Sequence, residues 1–282
     1  MENRQLEIRT AEWSTAMRQT ERFSLDRTAR QPSAWDKLAP DFDDGLGNDF
    51  VRVARTIEIL TEKGALNKNT VAIDIGCGTG TFTLELAKHC KKIYALDFSP
   101  MMLDRLNEKV KSCGLDNVVT ICGDWNKMEL SEFDPEINLA LSCLNPGIND
   151  TSSLDKMNKV SKRWCCYISV SGTSKHTSRN ELQEIVFGRT LNNANGNDII
   201  FPFNVIYAMG LKPGLNYIPC KYIRLLTEER ALESIVSDFT RYKDLDGETV
   251  RELEKYINDK LDESGKFLQE TSMNLGIMVW ET

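Results

Sequence analysis

The chain has 282 residues, 41% hydrophobic and 27% charged, with a formal net charge of −7 and a pI near 5.1. Length and balance suit one large soluble domain, or a domain with a cap, able to bury a full core. No apolar run approaches the ~20 residues of a membrane span, and the acidic balance argues against broad contact with a nucleic-acid backbone, which needs an excess of lysine and arginine.

Residues 1–48 precede the first expected core strand. Glu7–Arg22 is predicted helical, with Trp13 and Met17 on one side. From Phe23 to Phe42 aromatics alternate with acids and prolines, which reads as a short-helix cap; Trp35 and Phe42 are its candidates to face a substrate. Gly45–Asp49 is a turn-rich hinge. Phe50–Lys63 is an amphipathic helix with Val53, Ile57 and Leu60 on its apolar face and Gly64 as its stop, read as scaffold.

The central stretch is Val71–Gly80, VAIDIGCGTG. An apolar run leads through Asp74 into Gly76, Gly78 and Gly80, and a helix-forming run from Thr81 to Lys88 follows. This pattern is a buried parallel strand, a tight turn and a helix N-terminus, the opening of a nucleotide-binding βαβ unit. The next strand, Lys92–Asp97, ends in an acid placed to accept the hydroxyls of a ribose. A dinucleotide fingerprint would put its third glycine at position 81, where this chain has Thr81. The DIGCGTG segment from Asp74 to Gly80 instead closely resembles the first motif of class I S-adenosylmethionine (SAM)-dependent methyltransferases, with Asp97 matching their ribose-binding acid.

That resemblance covers about residues 50–282. It implies an α/β fold, a Rossmann-like and mostly parallel sheet of seven strands with the last one antiparallel, and SAM as cofactor with S-adenosylhomocysteine as product. It also implies a glycine loop, with Cys77 inside it, facing the amino-acid portion of SAM. The domain organisation expected is an N-terminal cap or lid over 1–48 and a methyltransferase domain over 49–282, with inserts at about 173–213 and 228–265.

Further along, Ser99-Pro100 caps a helix running to about Cys113. Val118–Cys122 and Ile137–Cys143 are the third and fourth strands, Ser153–Ser161 a helix, and Trp164–Ser171 the fifth strand. Then come a helix over Arg179–Phe187, a polar loop over 192–198, a short apolar segment over Phe203–Met209 and a sixth strand over Tyr217–Leu226. Helices over Glu228–Tyr242 and Thr249–Leu261 precede the last strand, Met273–Trp280.

Ligands of open α/β sheets bind at the carboxyl ends of the strands, so those tips supply the remaining candidates. Phe98 and Met102 follow Asp97 and could lie on an adenine. Asp124 and Trp125 follow the third strand and resemble the family's adenine contact. Cys143 ends the fourth strand and is counted with the cofactor residues. Asn145 follows it, and Asn145-Pro146 superficially resembles an Asn-Pro-Pro-aromatic motif whose last two positions here are Gly147 and Ile148. It is carried as an acceptor contact and, with His176, as a catalytic candidate, the alternative being a plain turn former. His176, beyond the fifth strand, is the candidate general base, and Asn204 and Tyr207 are candidate acceptor contacts.

Eight cysteines without paired Cys-x-x-Cys knuckles, and only two histidines, argue against a metal site. The charged start, Met1 to Gln5, lacks a signal-peptide apolar region, so a cytoplasmic protein is expected. The leading expectation is a methyltransferase for a small-molecule acceptor, without nucleic-acid or membrane partners, as a monomer or homodimer. The alternatives are a macromolecular acceptor (tRNA or protein) and a SAM-binding sensor without turnover.

Overall fold

The computed structural model describes residues 2–21, 25–26, 31–39, 42–43, 49–192 and 195–282. The hinge expected at Gly45–Asp49 lies outside them but for Asp49, as does much of the cap. Helices α1 (Glu2–Gln19), α2 (Pro32–Leu38) and α3 (Asp49–Glu62) precede the sheet.

Strand β1 (Val71–Ile75) is buried along its whole length, as expected of an apolar strand covered on both faces. It pairs in parallel with β2 (Lys92–Asp97) and β4 (Leu139–Cys143), so that Ile73 lies opposite Tyr94 on one side and Ala140 on the other. With β3 (Val118–Cys122), β5 (Trp164–His176), β6 (Gly214–Thr227) and β7 (Lys266–Glu281), the described residues form one sheet in the order β3-β2-β1-β4-β5-β7-β6. The chain steps outward from β1 to β3, then returns to β4 on the other side. That reversal opens a crevice at the carboxyl ends of β1 and β4. Strand β7 is antiparallel to both neighbours, in agreement with the expected fold class.

Between strands come α4 (Thr83–Ala87), α5 (Pro100–Ser112) and α6 (Thr151–Val160). Helix α5 starts where its sequence demands. The Ser99 hydroxyl accepts from Met102 N–H at 3.2 Å, Pro100 occupies the first turn, and Met102, Leu103 and Leu106 are buried. Helix α4 begins two residues later than its sequence run because Gly80–Phe82 are spent on the turn. Gly80 has φ +93°, and a Cβ there would collide with Leu106. Its glycine character serves packing between turn and helix.

Two departures matter for the site. The first is that α1 belongs to the main core. Trp13 is buried and its indole N–H donates to the Gly196 carbonyl at 3.1 Å, beside α8 (Ile200–Ala208), which includes the segment expected only as short and apolar. The second is that β5 continues past Ser171 to His176, after a register shift against β7. The distal halves of β6 and β7 accompany it. Around them α7 (Arg179–Phe187), α9 (Glu228–Thr240) and α10 (Gly247–Asn258) build a separate apolar cluster from Leu182, Ile235, Leu253, Ile257 and Phe267. The residues between β5 and β6 therefore split, α7 joining this accessory unit and α8 the main core.

Candidate active site

A cleft of about 640 Å3 lies over the carboxyl ends of β1 to β4, inside the roughly 300–1,000 Å3 of small-ligand sites. Its floor is the glycine loop. Gly76 N–H and Cys77 N–H both donate to Leu96 O, at 2.8 and 3.0 Å, so the turn folds back over the end of β2. Gly76 (φ +74°) has no room for a side chain, since a Cβ would stand 2.6 Å from the Asn145 side chain. Asp74, beneath the loop, accepts from the Thr83 hydroxyl at 2.7 Å. Burial pushes its carboxyl up to about 7; the Thr83 hydrogen bond opposes this and the Asp97 charge adds to it.

Asp97 stands where β2 ends. One carboxylate oxygen accepts from Gly78 N–H at 2.8 Å and the other from Ser99 N–H at 2.9 Å. Each oxygen retains a lone pair, so the carboxylate is fixed in place and can still accept two hydroxyls. Burial raises its pKa against those backbone N–H groups, and Asp36 raises it further. Phe98 and Met102 line the next wall, and Trp35 packs against Phe98 with ring centroids 6.5 Å apart. On the third side lie Asp124 and Trp125. The Trp125 indole N–H donates to Ser153 O at 3.1 Å, and Asp124 pairs with Lys127 at 3.0 Å.

The N-terminal segment closes the cleft from above. Asp36 on α2 accepts from the Ser99 hydroxyl at 2.6 Å and so joins the cap of α5. Phe42 lies over Gly78, its ring 3.5 Å from where a Cβ would be. Asp43 accepts from the Thr79 hydroxyl at 2.6 Å and pairs with Lys109 at 2.7 Å. Burial works to raise the Asp43 pKa, but these partners hold it below the usual carboxylate range.

The expected residues divide cleanly. Asp74, Gly76, Cys77, Gly78, Asp97 and Phe98 meet in one cleft, joined by Met102, Asp124, Trp125, Cys143, Asn145 and Trp35. Gly80 does not line it, for the packing reason given above. Asn145 does, but its amide is spent on the turn. Its Nδ2 donates to Ile75 O at 3.0 Å and to the Ser142 hydroxyl at 3.2 Å, and its Oδ1 accepts from Gly147 N–H at 2.8 Å. It braces the tips of β1 and β4, which corrects its reading as a catalytic group. His176 is also corrected. The polar end of β5 remains a strand and carries His176 out of the cleft, where its ring bonds Thr271 at 2.8 Å and Ser174 at 3.1 Å. Asn204 and Tyr207 sit on α8 outside the cleft, Tyr207 being 66% exposed.

Several cleft residues escaped the sequence reading, among them Arg52, Lys156 and Leu144. Arg52, on the helix taken as scaffold, is buried with its guanidinium carbon 5.5 Å from the Phe82 ring centroid; a cation one residue from the apolar face of α3 was its only signal. Lys156 on α6 donates to the Trp125 and Met128 carbonyls and lies 4.5 Å over the Trp125 ring. Burial lowers its pKa. Leu144, just past β4, has φ +50°, a left-handed conformation uncommon for leucine, and is 39% exposed.

Residues 66–209, about half of the chain, match a family model described as a methyltransferase domain. The chain belongs to the class I SAM-dependent methyltransferase family. Its cofactor is accordingly SAM. It is 28% identical over 199 residues to an uncharacterized protein of Haemophilus influenzae, covering 66% of each chain. Over 79 residues it is 40% identical to a candidate cobalt-precorrin-6B C(15)-methyltransferase (decarboxylating) of Methanothermobacter thermautotrophicus, covering 28% of this chain and 40% of that one. Over 97 residues it is 30% identical to the ribosomal RNA small subunit methyltransferase A of Staphylococcus carnosus, covering 34% and 32%. The chain thus spans less than two thirds of the length of these curated relatives. A crystal structure of a candidate methyltransferase from Bacillus halodurans shares the fold, with TM-score 0.54 and 15% identity over 81% of this chain and 97% of that one.

This SAM-dependent family member has a cleft whose chemistry fits the cofactor. The bare backbone at Gly76 and Gly78 admits close approach, Asp97 can accept two ribose hydroxyls, and the Phe98–Met102 wall offers apolar surface for a flat ring. Burial pushes the Cys77 thiol well above its ordinary range, so it stays protonated and unreactive within the loop.

Proposed function

We propose that the protein methylates a small-molecule acceptor. SAM supplies a methyl group on a sulfonium, ready for in-line displacement, and the remaining demands on the chain are alignment and exclusion of water. Gly76 and Gly78 receive the cofactor against backbone, Asp97 holds its ribose, and Phe98, Met102 and Trp125 flank its ring, with Asp124 accepting from the adenine amino group. Trp35 and Phe42 shelter the acceptor side.

The observation that carries this reading is that roof. Phe42 stands over Gly78 of the cofactor loop, Trp35 packs on Phe98 beside it, and both bound a cleft of small-ligand volume. Among the described residues no histidine lines the cleft. An acceptor that is nucleophilic as it arrives, as an amine, a thiolate or an activated carbon is, needs no imidazole base.

The partial match to a ribosomal RNA methyltransferase favours a second reading, an RNA acceptor. Label transfer separates the two. Purified protein is incubated with methyl-labelled SAM and cell extract split into metabolite, RNA and protein pools, with Asp97→Ala as control. Label in metabolites, lost in the variant, is expected; label in RNA or protein overturns the small-molecule reading. SAM binding without transfer to any pool favours a sensor.

A further inference from the structure

The roof of the cofactor cleft is held from two sides. Helix α2 has seven residues and buries none of them fully. A helix that short is marginal on its own, so side-chain contacts fix its place. On the main domain, Asp36 accepts from the Ser99 hydroxyl at 2.6 Å and from Met101 N–H at 3.3 Å. The opposite support comes from the accessory unit.

That support is Arg241, at the C-terminal end of α9. Its Nη2 donates to the Asp26 carboxylate at 2.7 Å, 215 residues away in sequence. The Asp26 side chain is 6% exposed and that of Arg241 23%. Shielded from water, the pair keeps more of its attraction than a surface pair does. The same guanidinium lies 6.0 Å from the Trp35 ring centroid, at the outer reach of a cation–π contact. Trp35 in turn packs on Phe98 in the cleft wall, with ring centroids 6.5 Å apart.

The end of α9 is itself anchored. Phe239 is buried and meets Phe187 of α7 with ring centroids 5.9 Å apart. Lys243 Nζ donates to Val186 O at 2.9 Å. Arg241 therefore stands on a fixed base. A line of contact runs from the accessory core through its guanidinium to Trp35 and on to Phe98.

We propose that Arg241 is a positioning residue for methyl transfer: it ties the accessory unit to the roof and holds Trp35 over the acceptor side of the cleft. The proposal rests on the reading of Trp35 as the acceptor's shelter, and it gives the accessory unit a part in excluding water from the reaction. The groups that receive the cofactor, Gly76, Gly78 and Asp97, are braced by Leu96, Ser99 and one another. Loss of Arg241 thus loosens the roof and spares cofactor affinity.

The test is acrylamide quenching of tryptophan emission in full-length protein saturated with S-adenosylhomocysteine. The chain has five tryptophans, so the share of Trp35 is read as the difference between each protein and its Trp35→Phe counterpart. Arg241→Gln is expected to raise Trp35 quenching about threefold, the population shift that loss of a cation–π contact produces. Lysine carries the same charge and can also donate to Asp26, so Arg241→Lys is expected to restore wild-type quenching and to unfold in urea as wild type does. Affinity for S-adenosylhomocysteine, read by calorimetry, should be the same in all three. Unchanged quenching in Arg241→Gln overturns the proposal. So does a rise that lysine fails to restore, or one matched by an equal loss of cofactor affinity, either of which marks a merely structural contact. Quenching needs no acceptor, so its failure and the failure of the small-molecule reading are distinguishable.

Discussion

On the β3-β2-β1-β4 side of the sheet, each strand stops where its last residues reach the cleft. Asp97, Asp124 and Cys143 are all found within two residues of a strand end. On the β5-β7-β6 side, the strands run on for up to 16 residues, and helices α7, α9 and α10 between them gather around Phe267 and Leu253 rather than around the cleft. The sheet is continuous across the two, yet one end is built for a ligand and the other for a second core. A parallel sheet gains a binding crevice wherever its strand order reverses. An antiparallel hairpin has no such crevice and can lengthen freely, provided something covers its faces.

If the two ends are independent, damage to one should spare the other. The largest effect is expected from Phe267→Ala, which empties a buried site in the accessory core. It should cost about 3–5 kcal/mol in urea unfolding, while SAM affinity of the folded protein, read by calorimetry, stays at the wild-type value. A matching loss of SAM affinity would show that the accessory unit shapes the cleft. Gly76→Ala should do the converse. It places a Cβ against Asn145 at a left-handed position, costing about 1–3 kcal/mol of strain and abolishing measurable SAM binding. Asp97→Asn removes the charge and one acceptor oxygen, and SAM affinity should fall about 10- to 100-fold, the worth of one or two hydrogen bonds to a charged group, with no change in unfolding cooperativity.

The smallest effect is a pH slope. Burial pushes Asp74 up to about 7 from an ordinary value of 3.8. The folded chain thus keeps a proton that the unfolded chain loses, so this group's contribution is full below about pH 4 and is lost as pH rises through about 7. SAM is cationic and favours the ionised carboxylate. Its affinity should therefore rise with pH across the same region, by at most about tenfold per pH unit. Calorimetry at pH 6, 7 and 8 reads this, and Asp74→Asn should flatten it.

How much of this was legible in the sequence follows the same division. Strands β1 to β3 and helix α5 were placed correctly because their signals are local: apolar runs, the glycine loop, and Ser99-Pro100 at the helix start. Asp97 followed from its position one βα unit beyond the glycines. The rest depends on contacts between residues far apart. The stretch Ser171–His176 is polar and contains Gly172, so nothing in it announces a strand; it is one because Thr271 and Ser272 on β7 pair with it. His176 was assigned to the cleft on the assumption that β5 ends with its neighbours. Arg52 was passed over because α3 was read as scaffold, and only the folded structure shows it buried against Phe82. Asn145 was weighed between turn former and acceptor contact, and the bonds to Ile75 and Gly147 decide for the turn.

Strand β7 lies inside the sheet, between β5 and β6, although it is the last strand in the chain. During synthesis β5 is complete long before its partner exists. Roughly 100 residues separate Trp164 from Lys266, or about 5–20 s of translation at ordinary rates. For that interval the nascent chain exposes an open edge beside strand β5, a template for stray strands. The ribosome must deliver residues 266–281 before the edge is sealed, which makes this segment the keystone of biogenesis.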